Sequence, residues 1–393
     1  MSRPEPLLRI PNSPGLTPKM AVTEAASGTL PSWLPAGRSL LLACARHGLF
    51  HGWRMLGLPA GSAVLVPAFV CNSVTGPLKL AGARLAFYRV GNDLRPDLDH
   101  AAGMLRRDRR IRALLWYRYL GFDAGVRETH GFCRRHRLFF IEDCAHALPL
   151  PPAGTLGDIA VFSLRKVLPV TNAGALVANN RTLPPVSEPF WRNAGRGYER
   201  ILVDRTASLR RLHEERSAGG RAPALEARLR HVRYVLRLNS ARRAVREATR
   251  RHLRDGDRAL RQMARPVAPD ALSRRVVSGA DLPAIARVRR RNYREYLRHV
   301  GELALFPRLP AGVAPMGFSL RVPDRDAFRL HLARLGVESA THWPDWLLPA
   351  GARCGFAAER ELADRLLTLP CHQGLDPDNI ALACHAIKQA WRK

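Results

Sequence analysis

Between about residue 35 and residue 178 the chain alternates short apolar stretches with amphipathic ones, and this alternation restricts its fold more than any other feature. Ala63–Val66, Arg84–Val90, Arg112–Leu120, Leu138–Ile141, Ile159–Leu164 and Ala175–Ala178 read as strands bounded by turn residues. Val126–His136 carries helical spacing between two of them. Ser39–Met55 carries it before the first, with apolar positions at Leu41, Leu42, Ala45 and Leu49. Gly57-Leu58-Pro59-Ala60-Gly61 then fits a helix stop and a tight turn. Strands connected through helices run in the same direction, so the pattern predicts an α/β domain with a mainly parallel central sheet.

The last third has a different rhythm. A basic helix over Asp281–His299, a strand at Gly317–Val322 and helices at Asp324–Leu335 and Asp376–Trp391 outline a smaller C-terminal α+β domain. The expected division is a large domain over 31–264 and a small one over 265–393. Residues 1–30, with prolines at 4, 6, 11, 14 and 18, read as a flexible arm without the apolar core of a signal peptide. No apolar run reaches the roughly 18 residues of a membrane span, so a cytoplasmic location is expected.

Charge is the compositional outlier: 63 Lys+Arg against 33 Asp+Glu gives a formal net charge of +30. Anionic partners and the arginine preference of a GC-rich genome both account for it. Its densest part is a stretch over about 200–261 that reads as basic helices inserted in the large domain. With little aromatic interleaving there, nucleic acid is not the expected partner. Lysine, by contrast, occurs only at 19, 79, 166, 388 and 393. The seven cysteines form no CxxC pair, which removes zinc ribbons and thioredoxin-like chemistry.

Chemistry concentrates between Leu138 and Ala178. One apolar strand ends in Glu142-Asp143-Cys144-Ala145-His146, and a second, Ile159–Phe162, runs into Ser163-Leu164-Arg165-Lys166. An acid and a scarce lysine at strand ends lie where open α/β sheets bind ligands. Such a pair suits pyridoxal phosphate, with the lysine as Schiff-base amine and the aspartate on the pyridine nitrogen. Taken alone, a salt bridge beside a strand-end lysine explains it too.

These residues belong to a longer series. Glu142–His146 resembles the E-D-x-A-Q/H segment of DegT/StrS-type aminotransferases, and Gly154-Thr155-Leu156-Gly157-Asp158 with Val161-Phe162-Ser163 resembles their G-x-x-G-D…F-S stretch. Ala63–Phe69, Asn172–Ala175, Arg192–Arg196, Arg289–Leu297 and Leu367–His372 resemble further motifs in the same order. The resemblance implies a fold-type-I architecture, pyridoxal 5'-phosphate as cofactor and a homodimer with a shared active site. It implies Lys166 and Asp143 as catalytic residues, His146 beside the phenolic oxygen, and Ser163 on the phosphate. Gly37-Arg38-Ser39, read as a helix start, would form the phosphate-binding turn, and Asn193 would reach the partner's site.

Three departures bear on mechanism. Cys71 stands where relatives place an aromatic ring over the cofactor, leaving Phe69 as a substitute. Arg118-Tyr119-Leu120-Gly121 replaces H-x-x-G, which makes Arg118 a weaker candidate beside the substrate. The G-Y-N-x-R-M segment that shapes the sugar-nucleotide site is not evident. The resemblance therefore implies amino transfer, from glutamate by family analogy, to a keto-sugar, nucleotide-linked in relatives. A non-sugar ketone, a dehydration, or a non-catalytic arginine-rich adaptor for nucleic acid or a membrane surface are the alternatives.

Overall fold

The apolar runs of the first half assemble into one seven-stranded sheet. The computed structural model describes residues 10, 14, 30–170, 172–186, 268–343 and 355–392; the expected basic insert and Asn193 lie outside them. In chain order this sheet and its helices comprise β1 (Ser39–Leu42), α1 (Ala45–Met55), β2 (Ala63–Pro67), α2 (Asn72–Leu80), β3 (Arg84–Tyr88) and α3 (Leu98–Arg107). They continue with β4 (Ile111–Tyr117), α4 (Val126–Arg135), β5 (Phe139–Cys144), β6 (Ile159–Ser163) and β7 (Gly174–Ala178). The strands lie in the order β1-β7-β6-β5-β4-β2-β3. Every pair from β3 to β6 is parallel, whereas β7 runs antiparallel to both β6 and β1. Strands β2, β6 and β7 are buried along their whole length, which is why their sequences are apolar without alternation.

The helix expected over Ser39–Met55 divides into two elements. Ser39–Leu42 is an edge strand on β7, and helix α1 begins only at Ala45. Leu40-Leu41-Leu42 has no polar face to offer water, so the segment is covered on both sides in the sheet rather than half-exposed in a helix.

The C-terminal region contributes α5 (Ala271–Ser278), α6 (Leu282–Val300), β8 (Gly317–Arg321), α7 (Arg325–Arg334), β9 (Ala340–Thr341), α8 (Ala357–Arg365), β10 (Leu366–Pro370) and α9 (Pro377–Trp391). Its three strands form an antiparallel sheet ordered β8-β10-β9. Asp270, Asp281, Asp324 and Asp376 each cap a helix by accepting a backbone N–H of its first turn. Ile10 departs from the expected loose arm. It is fully buried and lies beside Val337, its N–H donating to the Gly336 carbonyl at 2.7 Å and its carbonyl accepting from Glu338 at 2.9 Å. Among the described residues no helix is long and apolar enough to cross a membrane.

Register brings the carboxyl ends of the central strands together. Tyr117 pairs with Asp143, Cys144 with Phe162, and Ser163 with Gly174, which in turn pairs with Leu42. Gly174 is required by close packing, because a Cβ there would meet the backbone of Cys44 and Ala45 at the start of α1. We expect Gly174→Ala to destabilise the fold by about 1–3 kcal/mol, the range for overpacking, read as a lower denaturant midpoint. Gly103→Ala on α3, where a Cβ would meet only Arg106 at 3.6 Å, is the control and should stabilise by up to about 1 kcal/mol.

Candidate active site

Successive residues of a strand point to opposite faces of the sheet, and this alternation sorts the charged residues of β4 and β5. Glu142 and Asp143 are both buried, 0% and 1% exposed, but they serve different neighbours. Glu142 Oε1 accepts the N–H groups of Leu156 and Gly157, each at 2.6 Å, and its Oε2 accepts from Gly154 at 3.2 Å and Arg118 Nη2 at 3.3 Å. It fixes the Gly154–Gly157 turn between β5 and β6. A Cβ on Gly157 would fall 2.6 Å from the Ile159 carbonyl and 3.0 Å from Glu142 N, so the turn depends on that glycine.

Arg118 follows Glu142 to that face. Its guanidinium is buried against the Trp116 ring, 4.9 Å from the centroid, and ion-paired with Glu142. Arg118 is thus a salt-bridged arginine: Trp116 is in register with Glu142, and Arg118, two residues further on, faces the same way.

On the other face Asp143 and Lys166 act on one another. Lys166 lies at the end of a short 3-10 turn (Leu164–Lys166) after β6 and donates from Nζ to the Tyr117 hydroxyl at 3.4 Å. Burial pulls the Lys166 ammonium from 10.5 down to about 8, against the attraction of Cys71 and Asp143. Burial likewise pushes the Asp143 carboxyl from 3.8 up to about 6, although the Ala145 N–H at 2.9 Å and the charge of Lys166 favour its ionised form. Desolvation thus exceeds the pairing at both residues and moves their titrations toward each other, a pattern frequent at functional sites. Cys71, half-buried at the start of α2, is close enough to act on both Lys166 and Tyr117.

His146 joins them. Its Nδ1 accepts the Leu120 N–H at 3.2 Å. A backbone N–H can only donate, so the neutral ring carries its proton on Nε2. Burial first, then Lys166 and His342, hold this imidazole well below the ordinary histidine value. Around it lies an aromatic cluster: Trp343 stacks on His146 at 5.5 Å, Tyr117 lies edge-on at 5.1 Å, and Phe69 packs on Tyr119 and Trp343. The Tyr119 hydroxyl donates to the Phe69 carbonyl at 2.6 Å. Phe69 therefore belongs to the cluster's wall. Tyr117 and Tyr119 could have been found from the two-residue period of β4. His342 and Trp343 come from the far side of β9 and leave no local signal.

Gly37-Arg38-Ser39 do not start a helix. Ser39 pairs with Val177, three residues from the Leu42–Gly174 end, so Gly37-Arg38-Ser39 lie at the edge of the sheet opposite Lys166. Arg38 is spent on the carbonyls of Ala178, Leu183 and Asn180, and the Ser39 hydroxyl is buried without a partner. The helix start at the active edge is that of α1. Its cap residue Cys44 forms no side-chain cap, no acidic residue stands in its first turn, and its backbone packs on Gly174, in register with buried Ser163.

The sequence matches the DegT/DnrJ/EryC1/StrS aminotransferase family over residues 33–269, well over half of the chain. The chain belongs to this family. Its members use pyridoxal phosphate. The GDP-perosamine synthase of Vibrio cholerae is 25% identical over 132 residues, which cover 32% of this chain and 35% of that protein, so the match spans about a third of the relative. Among solved structures, a DegT/DnrJ/EryC1/StrS aminotransferase from Brucella abortus superposes with a TM-score of 0.62 at 18% identity, over 90% of this chain and 86% of that one. DesV of S. venezuelae, solved with a ketimine intermediate, gives 0.62 at 19% identity over 93% and 92%. At these identities the likeness is one of fold.

The residues present fit the family's cofactor. The Asp143 carboxyl has only Oδ1 engaged among the described hydrogen bonds, His146 presents Nε2–H, and the start of α1 offers uncapped N–H groups. Asp143 also gives a pH signature. Its folded value lies above its unfolded one, so the protein without cofactor should lose stability as pH rises from 4 through 6. We expect Asp143→Asn to abolish that loss, gaining about 3 kcal/mol over wild type at pH 7.5 and nothing at pH 4, read in parallel thermal melts.

Proposed function

We propose that this protein is a pyridoxal-phosphate-dependent aminotransferase that aminates a keto-sugar, carried on a nucleotide, with L-glutamate as donor. The observation that carries the proposal is buried Asp143 and half-buried Lys166 meeting Tyr117 at adjoining strand ends. When bound, pyridoxal phosphate supplies an electron sink that the side chains lack. Lys166 would hold its aldehyde carbon, Asp143 its ring nitrogen and His146 its phenolic oxygen. Ser163 and the start of α1 would hold its phosphate, where N–H groups and the helix dipole favour an anion, and Cys71 would face its ring.

Each of these side chains has a task of its own. Lys166, titrating near 8, can take up or release a proton at Nζ near neutral pH, which suits a residue that moves protons in both directions. Tyr117, whose hydroxyl burial holds protonated, keeps that amine in place through the 3.4 Å hydrogen bond. Asp143 supplies a carboxylate that stays ionised beside a bound cationic nitrogen. The buried aromatic wall of Phe69, Tyr117, Tyr119 and Trp343 shields Asp143 and His146 from water, while Lys166 stays half-buried. The nucleotide-sugar acceptor is supported by the family and by the Vibrio cholerae relative. The strongly basic composition would favour a diphosphate-bearing substrate. A homodimer in which Asn193 enters the partner's site, working in the cytoplasm, completes the proposal.

The test is a visible spectrum of the protein loaded with pyridoxal phosphate, before and after L-glutamate, with release of 2-oxoglutarate measured alongside. Wild type should show a long-wavelength band that glutamate bleaches with one equivalent of 2-oxoglutarate formed. Lys166→Ala should lack the band and lose at least about 10³-fold in rate. A band indifferent to glutamate and to other amino donors would contradict amino transfer.

A further inference from the structure

Arg289, on α6, is 1% exposed, and its hydrogen bonds among the described residues all go to neutral acceptors. Nε donates to Gln373 Oε1 at 3.1 Å, Nη1 to the carbonyls of Pro315 at 3.2 Å and Met316 at 3.1 Å, and Nη2 to the carbonyl of Val167 at 3.1 Å. Gln373 Nε2 donates to that same Val167 carbonyl at 3.0 Å. Val167 follows Lys166 directly, so one peptide beside the reactive amine takes two hydrogen bonds from the small domain.

Burying a guanidinium without a carboxylate is costly, and an apolar side chain of similar length would pack as well if packing were all that mattered. The neighbouring donors on α6 stay within the small domain. Arg290 Nη1 reaches Pro310 and Val313, Arg291 Nη2 reaches Leu375, and Asn292 Nδ2 reaches Cys371, His372 and Leu375. Of these four successive residues, Arg289 is the one that crosses to the Lys166 turn.

Its other bonds lead to the opposite side of the site. Met316, whose carbonyl Arg289 holds, donates its N–H to the Leu120 carbonyl at 2.9 Å, and Leu120 donates its own N–H to His146 Nδ1 at 3.2 Å. Leu120 is held in a left-handed conformation, φ 58°, that a leucine seldom adopts. Gly121 beside it fits only because it lacks a Cβ, which would fall 2.7 Å from the Ala314 carbonyl. A continuous path of hydrogen bonds therefore joins the peptide after Lys166 to the imidazole of His146, with one buried arginine at its centre.

We propose that Arg289, assisted by Gln373, is a positioning residue through which the small domain holds Lys166 and His146 in a fixed relation. It touches no reacting atom; it acts through the Val167 carbonyl on one side and through Met316 and Leu120 on the other. The proposal rests on the reading of Lys166 as the reactive amine, and its test has one arm that needs no cofactor.

In that arm the full chain, freed of cofactor, is acetylated competitively across pH and the Lys166 peptide is followed by mass spectrometry. With five lysines in the chain, that peptide is easily resolved. Wild-type Lys166 should titrate near 8. Arg289→Met frees the turn and lets water reach the amine, which raises the value by about one pH unit. Gln373→Leu removes no charge and should still raise it, by about half as much, while Arg289→Lys restores part of the wild-type value. Arg290→Met loses two carbonyl contacts elsewhere and should leave Lys166 unmoved. In the second arm, affinity for pyridoxal phosphate should fall about tenfold in Arg289→Met and less in Gln373→Leu. A Gln373→Leu protein that folds, melts normally and leaves both readouts at wild type would overturn the proposal. So would equal shifts in the Arg289 and Arg290 variants. An ordinary lysine titration in wild type would instead sink the reading of Lys166 itself.

Discussion

Asp143 and Lys166 attract each other, yet each is shifted toward its neutral form, because removing them from water costs more than their attraction gives back. The remainder of the site follows from tolerating that cost. A buried carboxylate and a half-buried ammonium stay side by side only if the surrounding structure holds both in place. Five parallel strands that end at one edge, lined there by a wall of aromatic rings, provide that support. A ligand that placed a cation beside Asp143 and an electrophile beside Lys166 would lift part of the penalty. A destabilised, preorganised pair of this kind is characteristic of functional sites.

The alternation of strand residues decides which charges can take part. Glu142 and Asp143 are neighbours in sequence and strangers in space. The first is saturated by three backbone N–H groups and Arg118, and the second keeps an oxygen for a ligand. A one-residue slip of β5 would exchange their roles. The Gly154–Gly157 turn, bonded to Glu142, prevents that slip, so the structural carboxylate secures the register of the functional one.

Much of this is legible in the sequence, and the failures have physical causes. Strands buried on both faces announce themselves as apolar runs, which is why β2, β4, β5, β6 and β7 fall where expected. Ser39–Leu42 misleads because an apolar run that leads into an amphipathic helix shares its spacing, and only the pairing with β7 separates them. The expectation of a phosphate turn at Gly37-Arg38-Ser39 rests on that same helix reading, whereas the helix start at the Lys166 edge is that of α1. The motifs single out Lys166, Asp143, His146 and Ser163 as candidates, and the strand order brings them to one edge of the sheet. Trp343 and His342 are not, because they reach the site from a distant segment. The role of Arg289 is hidden for a further reason: its partners are backbone carbonyls, which no side-chain pattern records.

The central claim is that Lys166, held beside Asp143, is the amine that takes the cofactor. The most direct test loads the protein with pyridoxal phosphate, reduces it with borohydride, digests it and maps the phosphopyridoxyl group by mass spectrometry. The account predicts the label on Lys166, and its disappearance in Lys166→Ala without transfer to another lysine. Label on Lys79 or Lys388, or none at all on a protein that folds, would contradict it.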